Sequence, residues 1–174
     1  MSELGGKTKQ GPSLKARALR LLSLREYSRK GLAAKLQESA ESYAKMSTKQ
    51  AGLEITHPGK SIAVQIEEIL DDFEARGWLS DERFAEALVR RRSERYGVRK
   101  IQDELQRAGV DSGQAADLIQ TLRDSEYQRA KDLWLKKFGV LAQEQKERAR
   151  QYRFLASKGF SSEVVSKILG GRFD

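Results

Sequence analysis

The sequence predicts an all-α protein, an elongated, curved array of three tandem three-helix repeats. First, the segment Ala16–Gln37 recurs in outline sixty-nine residues later as Ala85–Gln106. Second, a spacing of fifty residues relates Leu105, Gly109, Val110 and Ile119 to Leu155, Gly159, Phe160 and Leu169. Third, apolar residues follow helical spacing along the chain, and no alternating strand pattern of useful length is present. Each repeat is too small to bury much surface alone, so we expect neighbouring repeats to stabilise one another by stacking.

The first repeat is assigned to residues 13–77, after a disordered basic tail at residues 1–12. Apolar spacing predicts a helix from Ser13, then a break at Tyr27 and a short second helix capped by Ser28. A polar insertion at about 37–61 is predicted to extend this helix and then form a long loop. A third helix follows Ser61 and ends at Gly77, with a buried face of Ile62, Ile66, Ile69, Leu70 and Phe73.

The second repeat is assigned to residues 78–123 and the third to residues 124–174. In the second, a helix capped by Ser80 or Asp81 ends near Tyr96-Gly97, a second ends at Gly109, and Asp111 with Gln114 resembles a capping box. In the third, the first helix ends at Phe138-Gly139 and the last begins after Ser161-Ser162. The middle helix of the third repeat is predicted to bury Ala149, Tyr152, Leu155 and Ala156.

Composition narrows the class of protein. The chain has 174 residues with a net charge of +8, 39% hydrophobic residues and no cysteine, which excludes a disulfide framework and thiolate chemistry. No apolar run has the length of a membrane span, and the first residues lack the apolar block of a signal peptide, so a cytoplasmic protein is expected. Charge alternates along the chain: nine basic and two acidic residues fall in 1–36, but one basic and seven acidic residues in 62–82. This alternation favours a protein with distinct faces over a simple polycation.

Features that would indicate an enzyme are weak, and we predict neither catalytic residues nor a cofactor or metal. The one histidine, His57, lies in the loop-like sequence THPGK, and a single histidine without cysteine excludes the usual zinc sites. Gly6-Lys7-Thr8 imitates the end of a phosphate-binding loop, but the required upstream glycine is absent. Glu67, Asp71 and Glu74 are interpreted as a solvated helix face rather than a metal site.

Basic residues recur in related parts of the three repeats and are the candidate partner-binding residues. They are Arg20, Arg25, Arg29 and Lys30 in the first repeat, Arg91, Arg92, Arg95, Arg99 and Lys100 in the second, and Lys136, Lys137, Arg148, Arg150 and Arg153 in the third. Because Leu88 and Val89 mark the core face, Arg91, Arg92 and Arg95 are expected to project away from it. Repetition favours a basic stripe that meets phosphates or an acidic protein. Solvated helices, partly neutralised by Glu94, Asp103, Glu104 and Glu147, are the alternative.

Selective base recognition is not indicated, because the sequence has no zinc-finger or zipper signature. Three-helix units are also compatible with helix-turn-helix modules, which keeps a free-standing, sequence-independent DNA-binding or architectural protein as an alternative. Tyr27, Tyr96 and Phe138 lie at helix ends beside serine or glycine, which favours a structural role over base stacking.

One segment resembles a known family. Phe73–Arg92, FEARGWLSDERFAEALVRRR, is similar to the G-[WL]-L-x-D-x-R-F-A-x-x-x-V-x-x-R stretch of the bacterial RecX regulatory proteins. Tyr96-Gly97-Val98 with Ile101, Leu105 and Gly109 continues the likeness, and Lys15–Leu22 (KARALRLL) with Tyr27–Arg29 resembles the start of that family. The resemblance covers roughly Ser13 to Gly170 and is weaker in the third repeat. The polar segment 37–61 departs from the family pattern.

The resemblance implies a non-enzymatic regulator that binds the RecA filament on single-stranded DNA, lying in its helical groove across neighbouring subunits. It implies inhibition of RecA ATP hydrolysis, strand exchange and coprotease activity toward the LexA repressor, and thus a role in homologous recombination, DNA repair and the SOS response. The basic residues themselves fit either an acidic RecA surface or DNA. From them we expect weak, sequence-independent binding to single- and double-stranded DNA. We also expect the protein to be a monomer and not to associate with membranes.

Overall fold

The computed structural model describes residues 11–51 and 59–170, and all regular structure in these ranges is helical. The chain divides into two compact units at Leu79–Ser80. Nine helices lie in the described part: α1 Leu14–Leu24, α2 Arg29–Ala51, α3 Ile62–Ala75, α4 Asp81–Arg92, α5 Val98–Arg107, α6 Ala116–Asp124, α7 Glu126–Lys137, α8 Gln145–Ser157 and α9 Ser162–Leu169. The prediction of an all-α chain with tandem three-helix repeats is confirmed: α1–α3 form repeat 1, α4–α6 repeat 2 and α7–α9 repeat 3.

Repeat 1 makes up the described part of the first unit, and its three helices share one core. Serine hydroxyls cap all three helices: Ser28 and Ser61, as predicted, and also Ser13 each accept a hydrogen bond from the backbone N–H three residues later. The side chains that fill this core are Ala18, Tyr27, Leu32, Leu36, Ile66, Leu70, Phe73 and Leu79.

Helix α2 extends to Ala51, so the predicted extension of the helix that begins after Ser28 is present in the structure. Glycine and proline are absent between Leu32 and Ala51, so nothing in the sequence stops the helix after Leu36. The polar part of this helix is also docked. The Arg17 guanidinium donates to the backbone oxygen and to the hydroxyl of Ser39, at 3.2 and 3.0 Å, and lies 5.0 Å from the Tyr43 ring centre. Part of the predicted insertion is therefore a packed helix.

The second unit contains repeats 2 and 3, each with its own core. Repeat 2 is built around Ala85, Leu88, Val98, Ile101, Leu105, Val110, Ala115, Ile119 and Leu122. Repeat 3 is built around Ala130, Trp134, Leu155, Phe160, Val165, Ile168 and Leu169. Ser80 caps α4 and Ser161 caps α9, as predicted. Asp111 provides the acceptor half of the predicted capping box, because its carboxylate accepts from Gly113 and Gln114 N–H ahead of α6.

The fifty-residue spacing marks one type of helix end. After α5, Gly109 has a φ of 80°, and its N–H donates to Gln106 O while the Val110 N–H donates to Leu105 O. After α8, Gly159 has a φ of 88°, and the same two hydrogen bonds recur through Ala156 and Leu155. This left-handed termination favours glycine, which explains why glycine recurs in the sequence.

The prediction for the buried face of α8 is wrong at Ala149 and Tyr152, which are exposed. The buried residues are Gln151 and Leu155. Gln151 occupies a core position because its amide has two partners: its oxygen accepts from the buried Trp134 Nε1 at 3.0 Å, and its nitrogen donates to Val140 O at 3.0 Å. A buried side chain whose donor and acceptor are both hydrogen-bonded is tolerated in a core, and a pattern of apolar residues does not reveal such a position.

Some predictions lie wholly or partly outside the described residues. They are residues 1–10 of the tail predicted at 1–12, residues 52–58 of the predicted loop, the Gly6-Lys7-Thr8 sequence and His57. Among the described helices, none combines the length and the apolar character needed to cross a membrane.

Candidate functional site

The turn between α4 and α5 carries a group of exposed arginines. Arg91 lies in the last turn of α4, Arg95 in the turn itself and Arg99 in the first turn of α5, and all three are exposed. Within residues 11–51 and 59–170, their side chains form no hydrogen bond or ion pair. Three charges from a short stretch of chain are thus available to an external anion. We call this group the α4–α5 basic surface, which consists of Arg91, Arg95 and Arg99 together with the three cations around Tyr96, namely Arg92, Lys100 and Lys158.

Three further cations surround the half-buried ring of Tyr96. The Lys100 ammonium lies 4.7 Å from the ring centre, the Arg92 guanidinium 5.3 Å and the Lys158 ammonium 5.4 Å. Only Arg92 has a carboxylate partner among the described residues, Glu104 Oε2 at 3.1 Å. The ring attracts each cation weakly but leaves its full charge, so the cluster carries excess positive charge. Because cations occupy the ring surroundings, the sequence-based preference for a structural Tyr96 fits this geometry better than base stacking.

Arg92 does not project away from the core as predicted. It follows Ala85 and Leu88 at helical spacing, so it continues the buried face of α4 at the end of that helix. Its half-buried guanidinium therefore turns toward Tyr96 and Glu104. Arg91 and Arg95 are exposed, as predicted.

Two residues of α7 hold this turn in place. The buried Glu126 carboxylate accepts from the Val98 N–H at 2.8 Å, which satisfies the first amide of α5, where Gly97 offers no side chain. The Arg129 guanidinium donates to the carbonyl oxygens of Ser93 and Tyr96, at 2.6 and 2.7 Å. Burial lowers the pKa of Arg129, and the Glu126 carboxylate opposes that shift. The turn thus has both its N–H and its C=O groups fixed by one neighbouring helix.

Repeats 2 and 3 also meet backbone to backbone at this turn. The Gly97 N–H donates to Lys158 O at 3.0 Å, and a Cβ on Gly97 would lie 2.3 Å from backbone atoms of Gly159 and Phe160. A Cβ on Gly159 would in turn lie 2.6 Å from the Lys100 Cβ. Glycine at both positions permits the close approach that brings Lys158 to Tyr96.

The candidate residues of repeat 1 lie in different environments. Arg29 is held by three carboxylates of α3, with distances of 2.6 Å to Glu67, 2.7 Å to Asp71 and 2.5 Å to Glu74. Hydrogen bonds to these carboxylates, Glu67 above all, raise the pKa of the Arg29 guanidinium. Its charge is therefore used inside the repeat. Arg20 and Lys30 are exposed, and Arg25 lies 4.5 Å from the buried Tyr27 ring.

The acidic side of α3 is partly solvated, as predicted, and it also holds the repeat together. Besides the contacts to Arg29, Asp72 pairs with Lys15 and Arg76, and Glu68 pairs with Lys60. Hydrogen bonds from Lys15 and Arg76 lower the pKa of Asp72. Nowhere in the described ranges do acidic and histidine side chains form a group able to hold a metal ion.

The candidate residues of repeat 3 do not share one face. Arg148 and Arg150 lie about 200° apart around α8, given 3.6 residues per turn. Arg148 reaches Leu169 O at 3.4 Å, whereas Arg150 pairs with Glu147 at 3.4 Å. Arg153 is exposed, and so are Lys136 and Lys137 in the last turn of α7.

Sequence reasoning missed three residues that build this site: Glu126, Arg129 and Lys158. A signal for Glu126 was available, because Glu126, Ala130 and Trp134 share a spacing of four and all are buried on α7. A carboxylate on such an apolar stripe indicates a specific buried partner. Lys158 precedes the recurring Gly159 but offers no pattern of its own.

Comparison with known proteins agrees with this architecture. Residues 80–119 match the model of the second three-helix domain of RecX, and residues 124–169 match that of the third.

Curated relatives extend the likeness over nearly the whole chain. The regulatory protein RecX of Leptothrix cholodnii is 41% identical over 157 residues, covering 90% of this chain and 87% of the relative. That of Ralstonia nicotianae is 38% identical over 163 residues, covering 94% and 90%. The crystal structure of RecX from Lactobacillus salivarius shares the fold, with a TM-score of 0.63, 20% identity and coverage of 90% and 92%. With this identity over this length, the chain belongs to the RecX family of regulatory proteins.

Proposed function

We propose that this chain is a non-enzymatic, cytoplasmic regulator that binds the RecA filament on single-stranded DNA. In this role it inhibits RecA ATP hydrolysis, strand exchange and coprotease activity during recombination, repair and the SOS response. Membership of a family of regulatory proteins supports the class of function. The α4–α5 basic surface is the structural feature that supports the proposed contact with the filament.

This surface suits a polyanion for two reasons. First, Arg91, Arg95 and Arg99 are exposed and have no partner among the described residues, so binding does not require breaking an internal ion pair. Second, Lys100 from α5 and Lys158 from the end of α8 lie within 5.4 Å of the ring centre of Tyr96, and α7 holds the turn that contains Tyr96 fixed. Cations placed before binding lose little conformational freedom on contact, which favours affinity.

The other candidate residues divide accordingly. Arg20, Arg25, Lys30, Lys136, Lys137 and Arg153 are proposed as outlying contacts. Arg29 is proposed to act mainly within repeat 1, since three carboxylates already bind it. Arg148 and Arg150 are proposed to contribute less, because each already has an acceptor within the repeat.

The test is a titration of RecA ATPase on single-stranded DNA with the wild-type chain and with a triple variant, Arg91→Glu, Arg95→Glu and Arg99→Glu. We expect the concentration for half-inhibition to rise by about tenfold or more, as when several charged contacts of an interface are lost. Direct binding to oligothymidylate should lose roughly two units of salt slope, since each phosphate contact contributes about 0.7.

A matched control carries the same change of charge elsewhere: Lys45→Glu, Arg107→Glu and Arg123→Glu, all at exposed positions. This control should inhibit like the wild type, while both triple variants keep the same far-UV circular dichroism. An equal loss of inhibition in the two triple variants would show that net charge, not the α4–α5 basic surface, governs the contact. Wild-type inhibition by the variant at Arg91, Arg95 and Arg99 would contradict the proposed surface.

A free-standing DNA-binding protein is the competing function, because the same cations fit DNA phosphates. The titration separates the two. A regulator of the filament inhibits RecA when it is far less abundant than DNA binding sites, whereas a competitor for DNA inhibits only when it coats the DNA.

A further inference from the structure

We propose that the turn between α7 and α8 is a docking site for an acidic peptide segment that carries a bulky aliphatic side chain. This second site is distinct from the α4–α5 basic surface, and the proposal does not depend on the proposed function.

The turn forms a shallow depression lined by Lys131, Trp134, Leu135, Gly139, Val140, Leu141 and Gln143. Two of its aliphatic side chains face solvent: Leu135 is 45% exposed and Val140 is 72% exposed. Both residues line the same depression, which brings two exposed aliphatic side chains to one site. Covering such a surface by a partner's apolar side chain is favourable because it removes apolar area from water.

The apolar surface is preformed. Gln151, itself only 5% exposed, donates to Val140 O and accepts from Trp134 Nε1, both at 3.0 Å. Next to Val140, Leu141 packs against the core of repeat 3. A buried glutamine thus fixes the turn while its valine remains in solvent. A site that is already ordered binds a partner without an added cost of ordering.

The charges around this depression favour an acidic partner. Lys131 lines it, Lys136 and Lys137 are exposed in the last turn of α7, and Lys146 is exposed at the start of α8. Nearby acidic residues are fewer: Glu144 precedes α8, Asp132 accepts from Gln128, and Glu147 in the first turn of α8 is paired with Arg150. Complementary charge around an apolar centre steers the partner and selects its sign.

The depression suits a peptide better than a nucleic acid. Binding of single-stranded nucleic acid relies on exposed aromatic faces for base stacking, but Trp134 is only 2% exposed and points its indole N–H inward to Gln151. The exposed apolar groups of the depression, Leu135 and Val140, are aliphatic, and they suit contact with an aliphatic side chain of a peptide.

The experiment measures the fluorescence anisotropy of labelled peptides with the full chain. The probe is a fluorescein-labelled peptide EDDLDDE, compared with EDDGDDE. We expect the leucine peptide to bind and the glycine peptide to lose about tenfold in affinity, the effect of removing an apolar anchor from an interface. Equal binding of the two peptides would overturn the proposal, because it would leave only charge attraction.

The protein variant is Val140→Asp, and its matched control is Val64→Asp, another exposed valine, in the first turn of α3. Val140→Asp should lower the affinity for the leucine peptide by about tenfold, whereas Val64→Asp should leave that affinity unchanged. Unchanged affinity in Val140→Asp would contradict the proposal. A labelled oligothymidylate that bound the wild type and was lost in Val140→Asp would also contradict it, since the surface would then be a nucleic-acid site.

Discussion

Helices α2 and α5 begin at equivalent places in the sixty-nine-residue echo, after Tyr27 and Tyr96, but their first turns are stabilised differently. In α2 the hydroxyl of Ser28 accepts from the Gly31 N–H at 3.0 Å, so the cap comes from the helix's own flank. In α5 the equivalent residue is Gly97, and the acceptor for Val98 N–H is the carboxylate of Glu126, which belongs to α7. In α2 the third amide of the helix is capped from within repeat 1, and in α5 the first amide is capped by repeat 3.

The difference shows how contact between repeats changes what a position in a repeat can hold. Gly97 lies against the backbone of Gly159 and Phe160, which excludes any side chain there. The amide that Ser28 caps, Gly31 N–H, corresponds to Lys100 N–H, whereas Glu126 binds Val98 N–H, so the carboxylate caps a different amide of the first turn. The chain thus exchanges a local cap for a close junction between repeats 2 and 3, and that junction brings Lys158 to the α4–α5 basic surface.

The basic residues beside the two helix starts also differ in whether they have carboxylate partners. At the start of α2, Arg29 is bound by three carboxylates of its own repeat. At the start of α5, Arg99 has no such partner among the described residues. In the echo, Arg29 corresponds to Val98 and Arg99 corresponds to the exposed Lys30, so the cation that three carboxylates bind has no counterpart in repeat 2.

The largest expected effect comes from Gly97→Ala. The added methyl group would meet backbone atoms at 2.3 Å, and backbone cannot move aside as a flexible side chain can. The φ of Gly97 is −75°, so an alanine is not excluded by backbone conformation and the cost is steric alone. We expect a loss of about 3 kcal/mol in the free energy of unfolding, at the upper end of overpacking effects. Urea unfolding followed by far-UV circular dichroism measures it.

Hydrogen exchange locates the damage from Gly97→Ala. Protection should fall in α5 and α8, on both sides of the junction, and the wild-type pattern should persist in α1–α3. A loss below 1 kcal/mol would mean that the two backbones are not held as closely as the 2.3 Å contact requires.

Glu126→Ala should have the next largest effect. The variant leaves the buried Val98 N–H without an acceptor and removes the carboxylate near the half-buried Arg129. Together these changes should cost about 2 to 3 kcal/mol. Glu126→Gln is the matched control because it keeps an acceptor oxygen, and it should cost about 1 kcal/mol. If both variants lost the same stability in urea unfolding, the cap would not be the function of this carboxylate.

Sequence patterns predicted the helical class, the repeats and most helix ends because these depend on local chemistry. Serine caps and left-handed glycines act within a few residues of their own position, so Ser61, Ser161 and Gly159 could be assigned from the chain alone. Gln151 could not, because its burial depends on Trp134 and Val140, which apolar periodicity does not connect to it. For the candidate site, periodicity predicted the exposed Arg91 and Arg95. It did not distinguish the paired Arg29 from the unpaired Arg99, since pairing depends on which helix packs alongside.

The smallest effect is expected for Ser28→Ala, which tests the cap that α2 receives from its own flank. The Gly31 N–H would lose its acceptor at the first turn of α2, and Ser28 is 1% exposed, so water does not readily replace the hydroxyl. Loss of a serine cap costs about 1 kcal/mol, less than the loss of the Glu126 carboxylate, because no charged partner is left uncompensated. Urea unfolding gives the size of the loss, and hydrogen exchange at the start of α2 gives its place. The exchange pattern of α5 should stay as in the wild type, because the cap of α2 serves repeat 1 alone. A loss as large as that of Glu126→Ala would contradict the distinction between a local cap and one supplied by a neighbouring repeat.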